Sequence, residues 1–183
     1  EISEHLRILF SRKDAALAIK VEHEPQGDYS QVTISTVDIP GLFSKITGVM
    51  AGNGMNILGA QIFTQSQGIA LDILQVRSQS GEIVTSEKKW KKIEEDLTAV
   101  IEGRLKVGSL VKKRRQPSFL AEKEKPRRPN RVEVDNEISD QYTVIDIYAN
   151  DKIGLLYNIT KTLKELGLYI GVSKISTKVD QVT

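Results

Sequence analysis

At 183 residues, 39% of them apolar and 27% charged, the chain has the length for one compact globular domain or two small ones. It has no run of about 18 apolar residues able to span a bilayer, its start Glu1-Ile-Ser-Glu-His5 lacks the form of a signal peptide, and its zero cysteines exclude disulfides, thiolate nucleophiles and cysteine-ligated zinc. The net charge of +2 divides unevenly, with 11 Lys/Arg against Glu122 and Glu124 in residues 104–131, which gives that segment +9 and the remainder −7. A cytoplasmic location is expected, and because the first residue is not Met the sequence reads as a piece of something longer.

Residues 1–30 read as an approach helix followed by an extra strand from an upstream domain. Ile2, Leu6, Leu9 and Phe10 form a short helical stripe, and Leu17, Ile19 and Val21 alternate as in a half-buried strand. Val32 and Ile34 repeat the alternation beyond Pro25-Gln-Gly-Asp28, so a hairpin is predicted. After Pro40-Gly41 the period becomes helical through Leu42, Ile46, Val49 and Met50, with a stop near Asn53-Gly54. Ile57–Thr64 and Ile69–Arg77 are strand candidates around a Gln65-Ser-Gln-Gly68 turn. A second helix carries Trp90, Ile93, Leu97 and Val100, with Ser86 as its N-cap. The segment 104–131 holds Pro117, Pro126 and Pro129 and reads as an extended basic connector. Arg131–Asn136 is expected to return as the last strand of the first unit, and Tyr142–Ala149 to open a second.

The outline repeats. Residues 37–64 set against 150–177 without gaps match at nine positions, Asp38/Asp151, Gly41/Gly154, Leu42/Leu155, Ile46/Ile159, Thr47/Thr160, Gly54/Gly167, Ile57/Ile170, Ile62/Ile175 and Thr64/Thr177. These are turn, core and stop positions, as a structural repeat requires. The second copy reaches Thr183 before its third strand and second helix, so it is expected to be incomplete.

The turn Asp38-Ile-Pro-Gly-Leu42 has chemistry to offer. Proline presets φ for a helix start, glycine keeps the backbone approachable, and the amides that follow suit a carboxylate. Asp38 would accept hydrogen bonds from an ammonium group, giving one end for each charge of an amino-acid zwitterion; the alternative is that it caps its own helix. A carboxylate at an exposed helix start contributes roughly 0.3–1 kcal/mol, whereas millimolar binding needs about 4.1 kcal/mol. Further walls are required, and a second repeat or a second chain would supply them.

At these residues the chain resembles tandem ACT domains, βαββαβ modules of the ferredoxin-like α+β class that bind amino acids between modules. The run Asn130–Tyr148, with Asp151–Tyr157 and Ser173–Asp180, resembles more closely the C-terminal region of the bacterial bifunctional uridylyltransferase/uridylyl-removing enzymes that modify the PII nitrogen-signalling protein. The resemblance implies a first ACT domain over 31–137, interrupted by the basic linker at 104–131, and the N-terminal half of a second over 141–183. It implies glutamine as ligand, held by Asp38, Gly41, Leu42, Asn56 and Ile57, with Asp151, Gly154, Leu155, Tyr169 and Ile170 as counterparts. Ile153 replaces the proline in the second turn and Tyr169 the asparagine, which sets the two sites apart. The expected partners are the parent's upstream catalytic domains and, through them, PII. The region itself needs no cofactor; magnesium would belong to the parent's catalysis.

No catalytic constellation is visible, and His5 and His23 read as surface or hairpin residues. Nucleic-acid binding through Lys112–Arg115 and Lys125–Arg128 is the rival with a chemical basis, yet Gln31–Val37 and Ile69–Arg77 lack the aromatic residues on which bases stack. A third reading is a ligand-free dimerisation scaffold, a homo-oligomer joined through its sheets.

Overall fold

The computed structural model describes residues 17–64, 68–114, 129–150, 153–171, 173 and 175. It divides into two units, residues 1–115 with 153–183, and residues 116–152. The expected approach helix at Ile2–Phe10 lies outside the described residues. Among those residues no helix is long and apolar enough to cross a membrane.

The first unit contains β1 (Leu17–Glu24), β2 (Tyr29–Val37), α1 (Leu42–Gly52), β3 (Met55–Thr64), β4 (Ile69–Ser78), α2 (Glu87–Ile101), α3 (Val107–Arg114) and α4 (Leu155–Glu165). The strands form one antiparallel sheet in the order β1-β2-β4-β3. Directly opposed residues share a face, so the register stacks them in rows. Ile19, Ile34, Asp72 and Ile62 form one row, and Val21, Val32, Leu74 and Ala60 the next. That side of the sheet meets Leu42, Ile46, Val49 and Met50 of α1 and Ile93, Leu97 and Val100 of α2 in one core.

The helices end where their sequences say they should. Ser86 caps α2, its hydroxyl accepting from the Lys89 amide at 3.4 Å. Asn53 closes α1 and ties it to α2, its side-chain amide donating to the Val49 carbonyl at 3.2 Å and to Asp96 at 2.9 Å. Asp96 also pairs with Lys92. Gly167 ends α4 at φ 75, with the Leu168 amide reaching Leu163 O at 2.9 Å and the Gly167 amide reaching Lys164 O at 3.0 Å. That double bond pattern is a Schellman closure.

Two expectations are corrected. Arg131–Asn136 does not complete the first sheet; β1 takes the place beside β2 at its edge, and residues 131–135 pair elsewhere. The turn Pro25–Asp28 brings β1 onto β2 over four residues, and closing so short a loop costs less entropy than closing one that contains the whole basic segment. The extended connector is also wrong for its first part, since 107–114 is helix α3. Val107, Leu110 and Val111 make a helical stripe that packs on α1: Val111 is buried, the Leu110 Cβ lies 2.7 Å from where a Cβ on Gly52 would stand, and Val107 fills the space beside Gly48. The rest of the connector, 115–128, lies outside the described residues.

The second unit contains a hairpin of β5 (Arg131–Asp135) and β6 (Val144–Tyr148), in register from Arg131↔Tyr148 to Asp135↔Val144. Asp135 turns the chain by accepting from the Glu137 and Ile138 amides at 2.6 and 2.9 Å. Arg131 pairs with Glu133 and lies over the Tyr148 ring, 5.3 Å from its centre.

Candidate ligand-binding site

The predicted turn is built by Ile39–Leu42. The Leu42 amide donates to the Ile39 carbonyl at 2.9 Å, and Gly41 stands at φ 74 and ψ 24. With proline second and a positive-φ glycine third, this is a type II turn. Pro40 therefore acts ahead of the helix; Gly41 is the N-cap and α1 begins at Leu42. Its first turn closes with Lys45 N donating to Gly41 O at 3.0 Å. Among the described residues no side chain caps α1: Gly41 has none, and the Asp38 carboxylate makes no hydrogen bond to the helix amides. Asp38 is exposed, held by its own amide donating to the Gly68 carbonyl at 2.8 Å. Of the two uses foreseen for Asp38, capping is the one this geometry does not contain.

The start of α4 repeats this N-cap geometry. Gly154 is its N-cap at φ 72 and ψ 20, and the Asn158 amide donates to Gly154 O at 3.0 Å. The helices α1 and α4 pack against each other and run antiparallel. Gly41 at the start of α1 meets Lys164 near the end of α4, Gly48 meets Tyr157, and Thr47 and Thr160 share a buried hydroxyl hydrogen bond of 3.2 Å. The two glycine turns thus stand at opposite ends of the helix pair, each beside the other helix's C-terminal end.

The remaining candidates separate. Leu42 and Ile57 are core residues, behind the turn and beside the β-bulge at Ile57/Gly59. Asn56 is half-buried opposite Arg77. Leu155 is half-buried and Ile170 packs on the core, whereas Tyr169 is 91% exposed. Asp151 lies outside the described residues. Beyond α4 the chain passes β3, with the Ile175 carbonyl 3.7 Å from the Cβ position of Gly59.

Three charged groups that sequence reasoning did not assign complete the surroundings. The Lys164 side chain lies across Gly41, its Nζ 3.2 Å from where a Cβ would stand, so it covers the turn and brings an ammonium to the helix start. Lys45, which reaches toward the Val100 carbonyl at 3.5 Å, has its pKa lowered by burial and then by Lys164. Asp72 is 1% exposed on the helix side of β4, and neither of its carboxyl oxygens has a hydrogen-bond partner among the described residues. Burial, and secondarily the charge of Asp38, pushes its pKa up to about 7. One signal in the sequence marks it: an acid in phase with Ala70, Leu74 and Val76 of an apolar strand. His23 is a hairpin residue whose Nδ1 lies 2.9 Å from Ser30 Oγ. Among the described residues no group of three or more His, Cys, Asp or Glu could hold a metal ion.

An antiparallel sheet covered by helices, with a glycine turn at the helix start, fits a ferredoxin-like α+β module of the ACT type, and residues 131–183 match the ACR9-like, ACT-like domain family. The relatives are more particular. The chain is similar to the bifunctional uridylyltransferase/uridylyl-removing enzyme of Rhodospirillum rubrum, 38% identical over 181 residues that cover 97% of this chain and 19% of the relative. The same enzyme from Rhodopseudomonas palustris is 33% identical over 182 residues, covering 94% and 19%. That of Azospirillum brasilense is 34% identical over 167 residues, covering 91% and 18%. The chain is thus homologous, over nearly its whole length, to a segment of these enzymes, and it spans roughly a fifth of their length. No solved structure matches it.

Proposed function

We propose that the chain is the C-terminal sensing region of a PII uridylyltransferase/uridylyl-removing enzyme, a tandem of ACT modules whose second copy is incomplete in this sequence. It binds glutamine and biases the parent's catalytic domains between attaching UMP to PII and removing it. The nucleotidyl transfer itself belongs to those other domains.

The observation that carries this reading is the duplicated turn. Gly41 and Gly154 have the same backbone geometry, and α1 meets α4 through Thr47 and Thr160, which are equivalent positions of the repeat. The chain order β5, β6, α4 also repeats the order β1, β2, α1. At the first turn the uncapped amides of α1 and the Lys164 ammonium suit a carboxylate, while Asp38 suits an ammonium. The combination supplies more than a lone helix start, which by itself contributes less than millimolar binding needs.

Calorimetric titration of the chain with glutamine, glutamate and other amino acids tests the reading. Glutamine should bind, and Asp38→Ala should weaken it about tenfold or more, the loss of one charge-assisted hydrogen bond. Lys164 across Gly41 favours a second reading, a ligand-free scaffold in which the turn is filled by the protein's own side chain. Absence of heat with every amino acid, together with a stable dimer in sedimentation, would establish the scaffold instead.

A further inference from the structure

In the described rows on the helix-facing side of the sheet the ionisable residues are His23, at the hairpin end, and Asp72. Asp72 stands between Ile34 on β2 and Ile62 on β3, 1% exposed and, among the described residues, with both oxygens unpartnered. An uncompensated buried carboxylate is costly, and a leucine of similar size would remove the cost. Among the described residues the groups around it supply no partner. The one titratable side chain of α1, Lys45, points to the Val100 carbonyl, and Asp96 of α2 is engaged by Asn53 and Lys92. The charge that acts on Asp72 most is another acid, Asp38. Among the described residues nothing donates a hydrogen bond to this carboxyl, which leaves it open to a donor on a ligand.

Its place relative to the turn says which donor. Asp38 continues the β2–β4 ladder through its bond to Gly68, followed inward by the Thr36/Ala70 row and then by the Ile34/Asp72 row. Asp72 therefore lies on the side of the sheet that α1 covers, two rows in from the mouth, about 13 Å along the strand at ~3.3 Å per residue. An amino acid whose ammonium pairs with Asp38 and whose carboxylate meets the start of α1 would send an extended side chain inward along this line. We infer that Asp72 is the specificity-determining residue of the Asp38–Gly41 site, accepting a hydrogen bond from a donor at the end of the ligand's side chain, such as a carboxamide, and excluding side chains that end in a carboxylate. This rests on the amino-acid-binding reading above. An ionised carboxyl is an acceptor only, so it completes an amide N–H and repels a second carboxylate. Sites that depend on such a bond reject the wrong analogue strongly.

The test is a titration of the chain and of Asp72→Asn with glutamine and glutamate at pH 6, 7 and 8. The unsubstituted chain should prefer glutamine by about a hundredfold or more, with glutamine affinity rising about tenfold from pH 6 to pH 8 as a carboxyl near pH 7 ionises. In Asp72→Asn, which offers donor and acceptor alike, the preference should fall to within about tenfold and the pH dependence should vanish. Asp38→Ala should weaken both ligands by the same factor. Asp72→Leu serves as a second variant, and thermal unfolding checks that each protein is folded. A glutamine preference and pH profile unchanged in folded Asp72→Asn overturn the inference while leaving amino-acid binding intact. Equal binding of both ligands by the unsubstituted chain does the same. If neither ligand binds, the sensing reading fails and this inference with it.

Discussion

A carboxylic acid that folds into an apolar row holds its proton to higher pH than it does in the unfolded chain, and Asp72 does so to about 7 against an ordinary 3.8. Between those values the folded state binds more protons than the unfolded one, so stability falls as pH rises from about 4 to about 7 and then levels off. Some three pKa units correspond to a loss on the order of 4 kcal/mol. Urea denaturation at pH 5 and pH 8 should show the folded chain weaker at the higher pH, with Asp72→Asn flattening the difference and stabilising the protein at pH 8. Gly41 makes a separate demand, since its φ of 74 is open to glycine but strained for alanine, and an added methyl would overlap the Lys164 stem. Gly41→Ala should cost roughly 1–2 kcal/mol from backbone strain alone, plus a steric part that Lys164→Ala restores in the double variant. Equal stability of Gly41→Ala with and without Lys164 would disprove the contact. Both residues show how unevenly a sequence reveals its sites: the Pro-Gly turn carries a backbone signature, whereas Asp72 sits in a strand apolar on both phases near it, with its phase relative to Ala70, Leu74 and Val76 as the one sign that it faces the core.

At the level of elements, α1 and α4 touch through small residues and a hydroxyl pair. Replacing Thr47 or Thr160 with valine removes one end of the 3.2 Å bond and leaves the other buried without that partner. A double-mutant cycle should return a coupling of about 1 kcal/mol; a coupling near zero would mean that the hydroxyls merely adjoin. The helices α1 and α2 were legible because their apolar residues recur at helical spacing between recognisable stops. Helix α3 was not, because Lys106, Lys112, Lys113 and Arg114 surround a stripe of only Val107, Leu110 and Val111. The hairpin of β1 and β2 was legible, whereas the last strand of the first unit was misread for a different reason. Val132 and Val134 alternate as convincingly as Ile19 and Val21, and pattern alone does not choose between two strands separated by some hundred residues. Loop length chooses, and the near strand occupies the edge.

For the molecule as a whole, the antiparallel helix pair means that the two turns do not share one pocket. Each stands beside the other helix's C-terminal end, and the two helices differ there: the position equivalent to Lys164 on α4 is Ala51 on α1. Glutamine binding, if it follows the proposal, should be dominated by the first turn. Gly154→Ala is expected to leave the affinity within about twofold, while Gly41→Ala lowers it by about tenfold or more, since the loss or retention of one such contact is the difference. Comparable losses from both substitutions would assign equal roles to the two turns. The basic segment also looks less like a free polycation once its first part is counted as a helix packed on α1, which weakens the case for it as a nucleic-acid strap.

The place of β1 beside β2 has a consequence for how such a protein is made. Because the edge strand precedes the helix it supports, everything in the four-stranded sheet is contained between Leu17 and Ser78. A nascent chain can close that sheet while the basic segment is still being translated, since domains fold as units in the order in which they are made. The highly charged stretch then leaves the ribosome behind a module that has already hidden its apolar face, rather than between two halves that must still find each other.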